Sequence, residues 1–230
     1  MRILVTLAHP DDETFICGGT LARYAAEGAR ITLVTATRGE MGRRLGTPPF
    51  ATRETLPDIR EHELRDACQA LGIADLRFLG LRDKTVDYYD PTELATRIGA
   101  ILREVQPDVV ITFHEAISGH SDHCAVGRAA RMAFEAGINT PRLYYVLWRE
   151  HAEQLTKAGA TEDRVTTIDI TGSAAVAKVK AFRAHRTQSQ LHDWIWDDAA
   201  ALQRLTGPEF FLQGSGPVRP GERDLLGRNP

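Results

Sequence analysis

The sequence has no apolar run approaching the roughly 18 residues that a membrane-spanning helix needs. Its three cysteines, Cys17, Cys68 and Cys124, are odd in number and widely spaced, so a disulfide framework is not expected. The 28 basic and 31 acidic residues leave a net charge of −3, which gives no electrostatic reason to expect nucleic acid or an anionic membrane as a partner. These absences predict a cytoplasmic protein with neither a membrane nor a nucleic-acid partner.

Two motifs that give function to many α/β proteins are also missing. No GxGxxG follows the first apolar segment; HPDDE stands there instead, and its acids would repel the pyrophosphate of a dinucleotide. No GxSxG elbow occurs, so a serine hydrolase is poorly supported. Cys124 stands beside His123, but a cysteine on a helix flank is better explained by packing than by nucleophilic catalysis.

Short β-rich runs alternate with helical patterns along the chain. The predicted strands cover residues 3–8, 31–35, 76–79, 108–113, 143–147 and 165–170. The predicted helices cover residues 20–27, 57–71, 91–105, 122–136 and 174–185. This alternation predicts an α/β fold with an open, mostly parallel, Rossmann-like sheet sandwiched between helices. We expect residues 1–212 to form a single domain, and the Gly/Pro/Arg-rich tail 213–230 to be poorly packed or used in assembly.

Histidine and acidic residues follow two of the predicted strands. They are His9, Asp11, Asp12, His120, Asp122 and His123. Ligands of open α/β sheets bind beyond the carboxyl ends of the strands, so both clusters are expected at one edge of the sheet. Three nitrogen and oxygen ligands with an open position are typical of catalytic zinc, although Fe, Mn or Co would also fit. Of the adjacent Asp11 and Asp12, one can ligate a metal while the other stays free as a general base.

Each of these residues also has a structural interpretation. His9 could be a hydrogen-bonded loop histidine, and Asp11 or Asp12 could cap the helix that follows. Asp122 is well placed to cap the helix after the second cluster. Composition and spacing alone do not decide between these interpretations and a metal site.

The same segments resemble a known family. Residues 8–13, AHPDDE, resemble the signature of the LmbE-like, or PIG-L, zinc-dependent N-acetylglucosaminyl deacetylases, and HSDH at 120–123 resembles their HPDH pattern with Ser for Pro. Further ordered matches are TRGE at 37–40, PDVVIT at 107–112 and KAFRAHRTQ at 180–188. The resemblance therefore extends over most of the chain.

The resemblance implies specific roles. It implies that His9, Asp12 and His123 are the zinc ligands. Asp11 is implied to be the general base that takes a proton from the zinc-bound water. His120 is implied to stabilise the tetrahedral oxyanion or to protonate the leaving amine, with Asp122 tuning it from behind.

The residues that would face the substrate are less strongly marked. Arg60 and Asp83 match residues that contact substrate in family members, although Arg60 could also belong to a surface ion pair on its helix. Glu40 is a weaker candidate for the site. His185 could either lie near the metal pocket or be a packed histidine of its helix. Ser118 stands where some members have a tyrosine that helps the oxyanion, so either Ser118 or another group takes that part or the set of substrates differs.

The resemblance implies an N-deacetylase, an amide hydrolase that removes the acetyl group from a small molecule containing N-acetylglucosamine (GlcNAc). One alternative is a zinc amidase for another amide, such as a thiol conjugate. Another is a sugar- or metal-binding module that keeps the fold without turnover, although binding a metal does not require both Asp11 and Asp12. Similar proteins often form trimers or hexamers, so a homo-oligomer is expected.

Overall fold

A computed structural model of the chain describes residues 1–44, 48–137 and 142–228. The strands within these ranges are β1 (Arg2–Leu7), β2 (Arg30–Thr37), β3 (Asp75–Leu81), β4 (Val109–Thr112), β5 (Arg142–Leu147), β6 (Val165–Ile170) and β7 (Gly207–Gln213). They form one sheet in the order β3-β2-β1-β4-β5-β7-β6. Strands β3 to β5 in that order run parallel, and β7 runs antiparallel to β5 and β6.

Helices flank this sheet. They are α1 (Asp12–Ala26), α2 (Leu56–Leu71), α3 (Pro91–Val105), α4 (Ser121–Glu135), α5 (Ala152–Ala158), α6 (Gly172–Ala184), α7 (Arg186–Ser189) and α8 (Asp198–Leu205). Helices α1 and α2 pack against α6, and α3 packs against α4. The predicted open, mostly parallel sheet between helices is confirmed. In the described ranges no helix is long and apolar enough to cross a bilayer.

Strands β1 and β4 are neighbours in the middle of the sheet, and this adjacency positions the site. Their residues pair from Ile3 opposite Val109 to Thr6 opposite Thr112. Every residue of β4 is buried, as expected for a central strand covered on both faces. Because β1 and β4 are parallel, the loops that follow them leave the sheet side by side.

Helix α1 begins well before Thr20, where the helical pattern predicts its start. Its backbone leaves helical geometry at Cys17, with φ −133° and ψ 15°. Beyond this kink the N–H groups of Gly19 and Thr20 donate to the carboxylate of Glu209 in β7, at 3.0 and 2.7 Å. Lys178 of α6 pairs with the same carboxylate at 2.6 Å. The first half of the domain is thus tied to a strand near the end of the chain.

The segment after β7 packs against the body of the protein, contrary to the expectation of a poorly packed tail. Leu225 is fully buried. Glu222 accepts hydrogen bonds from the hydroxyls of Tyr144 and Thr166, at 2.7 and 2.9 Å. The predicted domain boundary after residue 212 falls inside β7, which ends at Gln213. A role of the segment in assembly stays a prediction.

Candidate metal centre and active site

The loops that follow β1 and β4 bring two histidines into contact. His9 lies just after β1, and His123 lies in the first turn of α4. Nδ1 of His9 and Nε2 of His123 are 3.2 Å apart, and both side chains are buried. The structure therefore brings the two polar clusters of the sequence together at one edge of the sheet.

Asp12 completes a group of three donors. Its Oδ1 is 3.3 Å from Nε2 of His123, and its Oδ2 is 3.6 Å from Nδ1 of His9. The three donor atoms lie within 4.8 Å of one another. Two imidazole nitrogens and one carboxylate oxygen are the ligand types of catalytic zinc sites that keep a position open.

Carboxylates surround His9 on its other side. Its Nε2 is 3.1 Å from Oδ2 of Asp122 and 3.2 Å from Oδ1 of Asp83. A carboxylate on the far nitrogen fixes the tautomer and the ring orientation of a metal-binding histidine. Burial opposes protonation of His9, but the surrounding carboxylates, of which Asp12 acts most strongly, outweigh it and raise the pKa of His9. This excess of buried negative charge fits a site that holds a cation.

A second group of possible donors, His9, His120 and Asp122, shares one histidine with the first. The carboxylate of Asp122 is already engaged: its Oδ2 accepts from the N–H of Lys84 at 2.7 Å and its Oδ1 from that of Val86 at 3.1 Å. The first group is therefore the better candidate for a metal centre.

Asp11 stands immediately before α1 but does not cap the helix. Its backbone has φ 116° and ψ −28°, and its side chain accepts no capping bond. Its Oδ2 instead accepts from Nη2 of Arg60 at 3.0 Å. Burial raises the pKa of Asp11 to about 6, although Arg60 acts in the opposite direction. Positive φ is rare for a residue other than glycine and is concentrated at functional sites, so a simple capping role does not account for Asp11.

Arg60 of α2 is almost fully buried and reaches the loops after β1 and β2. Its Nη1 donates to the carbonyl of Gly39 at 2.9 Å, and its Nη2 donates to the carbonyl of Pro10 as well as to Asp11. A Cβ added at Gly39 would lie 2.0 Å from Nη1, and one at Gly42 would lie 2.3 Å from it. The two glycines give the guanidinium its space, and Arg60 is a buried brace rather than half of a surface ion pair.

His120 precedes α4 and caps it with its ring. Its Nδ1 accepts the N–H of Asp122 at 3.2 Å, so in the neutral ring Nε2 carries the proton. The ring stands edge-on to that of His9, with centroids 4.9 Å apart. Burial lowers the pKa of His120, which favours the neutral form. The carboxylate of Asp122 lies 3.1 Å from Nε2 of His9, and its influence on His120 stays a prediction.

Phe113, the residue directly after β4, belongs to the site but is not among the residues predicted from the sequence. Its ring stacks on the imidazole of His123, with centroids 3.9 Å apart and an interplanar angle of 4°. This stack fixes the plane of the His123 ring. The available signal was an aromatic residue at the end of a buried strand, next to the second polar cluster.

The remaining candidates are spread around the cluster. Asp83 is buried beside it, where its Oδ2 accepts the N–H of Met41 at 2.8 Å. Glu40 accepts the N–H of Asp83 at 3.1 Å, which folds the loop after β2 against the site. The hydroxyl of Ser118 donates to the carbonyl of His114 at 2.6 Å and so serves its own loop.

His185 is fully buried at the end of α6. Its Nε2 lies 2.7 Å from Oε1 of Glu13, the last acid of the HPDDE segment. Glu13 is not among the site residues predicted from the sequence, because no local pattern links it to a histidine so far along the chain.

The profile of the GlcNAc-PI de-N-acetylase family, PIG-L, matches residues 4–134, more than half of the chain. The chain belongs to the PIG-L family. The matched stretch contains both loops of the site and all three residues of the donor group. The family membership predicted from the sequence is confirmed.

Two curated relatives of this PIG-L family protein align over nearly its whole length. A probable N-acetyl-alpha-D-glucosaminyl L-malate deacetylase 2 of Bacillus cereus is 39% identical over 217 residues, which cover 91% of this chain and 96% of the relative. A 1D-myo-inositol 2-acetamido-2-deoxy-alpha-D-glucopyranoside deacetylase of Actinosynnema mirum is 35% identical over 98% of this chain and 96% of the relative. Its relatives are thus deacetylases of small molecules that contain GlcNAc.

A solved structure with the same fold is the N,N'-diacetylchitobiose deacetylase from Pyrococcus horikoshii. It superimposes on this PIG-L family protein with a TM-score of 0.68 at 24% identity, covering 93% of this chain and 84% of that one. At this identity the likeness bears on the fold, and it agrees with the sheet and helices described above.

Proposed function

We propose that this PIG-L family protein is a metal-dependent hydrolase that removes the N-acetyl group from a small molecule containing GlcNAc. The observation that carries the proposal is the buried donor group of His9, Asp12 and His123 with a second carboxylate, that of Asp11, held beside it by Arg60. A site that only binds a metal needs the donor group and not the extra carboxylate. The names of the relatives support the substrate class.

His9, Asp12 and His123 would hold zinc, or another divalent ion such as Fe²⁺. When bound, the ion supplies a Lewis acid for the amide carbonyl and the attacking water. The donor atoms are oriented by the protein itself. Oδ2 of Asp12 accepts the N–H of His9 at 2.8 Å, and the carboxylates at Nε2 of His9 direct its Nδ1 toward the donor group.

Asp11 is the proposed general base. A carboxylate whose pKa burial has raised to about 6 accepts a proton more readily than an ordinary aspartate and is still ionised near neutral pH. The bond from Arg60 keeps this carboxylate from turning into the N-terminus of α1. Asp11 is thereby left to take a proton from the water that attacks the amide.

His120 is the proposed hydrogen-bond or proton donor. Its neutral ring carries the proton on Nε2, which suits it to stabilise an oxyanion or to protonate the leaving amine. Ser118 is a poorer candidate because its hydroxyl already donates to a backbone carbonyl. Asp122 supports this arrangement through His9 and through the backbone of residues 84 and 86.

A direct role of Arg60 and Asp83 in binding the sugar stays a prediction. Arg60 is engaged by the loops after β1 and β2, and Asp83 by His9 and Met41. These bonds favour a role in holding the site together. A contact with the sugar would be a second role for the same side chains.

The aglycone distinguishes the remaining possibilities. The Bacillus cereus relative is named for a malate aglycone and the Actinosynnema mirum relative for an inositol. An amide of a thiol conjugate, or binding without turnover, would be a different outcome. We also propose that the chain assembles with copies of itself, as sequence resemblance implies.

The test is deacetylation of GlcNAc-malate, GlcNAc-inositol and free GlcNAc by zinc-loaded and chelator-stripped protein, with the free amine detected. We expect amine release that is lost on stripping and restored by zinc. The relative rates would identify the aglycone. Protein that holds one zinc per chain and releases no amine from the whole panel would reject the proposed substrate class.

A further inference from the structure

A buried pair of ionisable residues, Glu13 and His185, lies next to the site and has no part in the chemistry proposed above. The side chain of Glu13 is 1% exposed and that of His185 is 0% exposed. Nε2 of His185 is 2.7 Å from Oε1 of Glu13, which also accepts the hydroxyl of Thr14 at 2.6 Å. Burying two such groups is costly unless each is fully hydrogen-bonded, so the pair calls for a reason.

The other oxygen of Glu13 holds the backbone of Asp11. Oε2 of Glu13 accepts the N–H of Asp11 at 3.0 Å. Asp11 is the residue with φ 116°, a conformation that persists only when surrounding contacts impose it. The bond to Glu13 is such a contact. Without it, an ordinary turn would let Asp11 cap α1 with its side chain, as aspartate commonly does.

His185 in turn is fixed by the junction of α6 and α7. Its carbonyl accepts the N–H groups of Gln188 and Ser189, both at 2.9 Å. Thr187, in the same turn, donates to Glu63 of α2 through its N–H and its hydroxyl, at 2.7 and 2.6 Å. The end of α6 is therefore anchored, and Glu13 is held between it and the first loop.

Asp11 is thus gripped twice, by groups from different parts of the chain. Arg60 of α2 holds the carboxylate and the preceding carbonyl, of Pro10, while Glu13 holds the N–H. The bonds from Arg60 set where the carboxylate of Asp11 lies, and the bond to Glu13 sets the turn that presents this carboxylate. Neither group needs to touch the substrate for this effect.

We propose that Glu13 and His185 are positioning residues that set the turn at Asp11 and so aim its carboxylate. The inference rests on the proposed function, in which Asp11 is the general base. Displacing a catalytic group by about 1 Å can cost on the order of 100-fold in rate, so a buried brace is a physically sufficient reason for the pair.

The test compares His185→Leu, which removes the donor, with His185→Gln, whose amide can still donate to Glu13. We expect His185→Leu to lower kcat by about 10- to 100-fold, with KM little changed and one zinc still bound per chain. The glutamine variant should recover most of kcat. In an Asp11→Asn background, His185→Leu should cost little more, because it acts through a carboxylate that is no longer there.

Two further measurements separate the possible failures. A crystal structure of His185→Leu should show Asp11 out of the positive-φ region; an unchanged turn would overturn the inference even if the wild type proves inactive on every substrate. The inference would also be overturned if the wild type is active and His185→Leu has the same kcat. If the leucine variant does not fold, Glu13→Ala, which removes the acceptor of the Asp11 N–H, takes its place in each measurement. His151→Leu, which breaks a second His–Glu pair, with Glu162 at 3.2 Å, is the control for removing a histidine.

Discussion

At the scale of single residues, Gly39 determines where Arg60 can lie. Its φ of +67° belongs to the left-handed region, and a Cβ there would collide with three atoms of the guanidinium. Arg60 cannot move outward without giving up Asp11 and the carbonyl of Pro10. The space left by one missing side chain is therefore a condition for placing the proposed base.

Gly39→Ala is expected to lower kcat at least 10-fold while leaving zinc binding intact. The added methyl displaces the guanidinium, so the carboxylate of Asp11 loses its partner, whereas the donor group is untouched. Steady-state kinetics and metal analysis on the same preparation would check both parts.

The matched control is Gly80→Ala. Gly80 also has a positive φ, +70°, but a Cβ there would meet nothing within 4 Å. Both variants carry the backbone strain, of about 1 kcal/mol, and only one displaces Arg60. Equal losses of kcat in the two variants would mean that strain, rather than the position of Arg60, explains the effect.

The candidate site was partly visible in the sequence because its main residues follow strands directly. His9 and His123 could be expected at one sheet edge once β1 and β4 were recognised as strands. The partners that fix them could not: the contacts of Asp122 with His9 and of Phe113 with His123 depend on how two loops pack. Glu13 and His185 are even further apart in sequence, and only the folded chain joins them.

At the scale of elements, β7 and the first turns of α1 could not be predicted from the local sequence. The apolar run from Phe210 to Leu212 is too short to predict a strand by itself. Its pairing partners, β5 and β6, lie far earlier in the chain. The first turns of α1 contain Cys17 and paired glycines, which favour a helix poorly. Glu209 of β7 compensates by accepting two N–H groups beyond the kink, and no local pattern reveals that support.

Glu222 is one of the residues that hold the segment after β7, and Glu222→Ala should destabilise the fold by about 2 kcal/mol. The substitution leaves the buried hydroxyls of Tyr144 and Thr166 without their acceptor. Urea unfolding at neutral pH would measure the loss. Glu153→Ala, which removes an exposed partner of Lys157, is the control and should leave the unfolding midpoint nearly unchanged.

The same contacts predict the dependence of stability on pH. Burial alone would raise the pKa of Glu222, but the hydrogen bonds from Tyr144 and Thr166 and the nearby Arg219 outweigh it and lower the pKa. A lowered pKa means that the stabilisation is present above the ordinary glutamate pKa, about 4.3, and is lost as the pH falls below it. The difference in stability between wild type and Glu222→Ala should therefore shrink on acidification. A difference that stays constant would contradict this account.

At the scale of the whole molecule, the donor group joins elements that are far apart in sequence. His9 and Asp12 flank the start of α1, and His123 belongs to α4, so an ion bound by all three would cross-link two layers of the fold. An ion that binds only the folded chain stabilises it by about 2.7 kcal/mol at 100 times its Kd. For a chain of 230 residues this corresponds to a rise in Tm of about 5–10 °C.

Thermal unfolding with and without zinc would measure this rise in Tm. Substitutions of the two adjacent aspartates are expected to change the zinc-induced shift differently. Asp12→Asn should lose most of the zinc-induced shift, because a ligand is gone. Asp11→Asn should keep it while losing activity, because its carboxylate lies outside the donor group. Mg²⁺ is the control ion and should shift Tm little, since it prefers an octahedral shell of oxygens. If Asp12→Asn responded to zinc as strongly as the wild type, the ion would have to bind elsewhere, and the assignment of the donor group would fall.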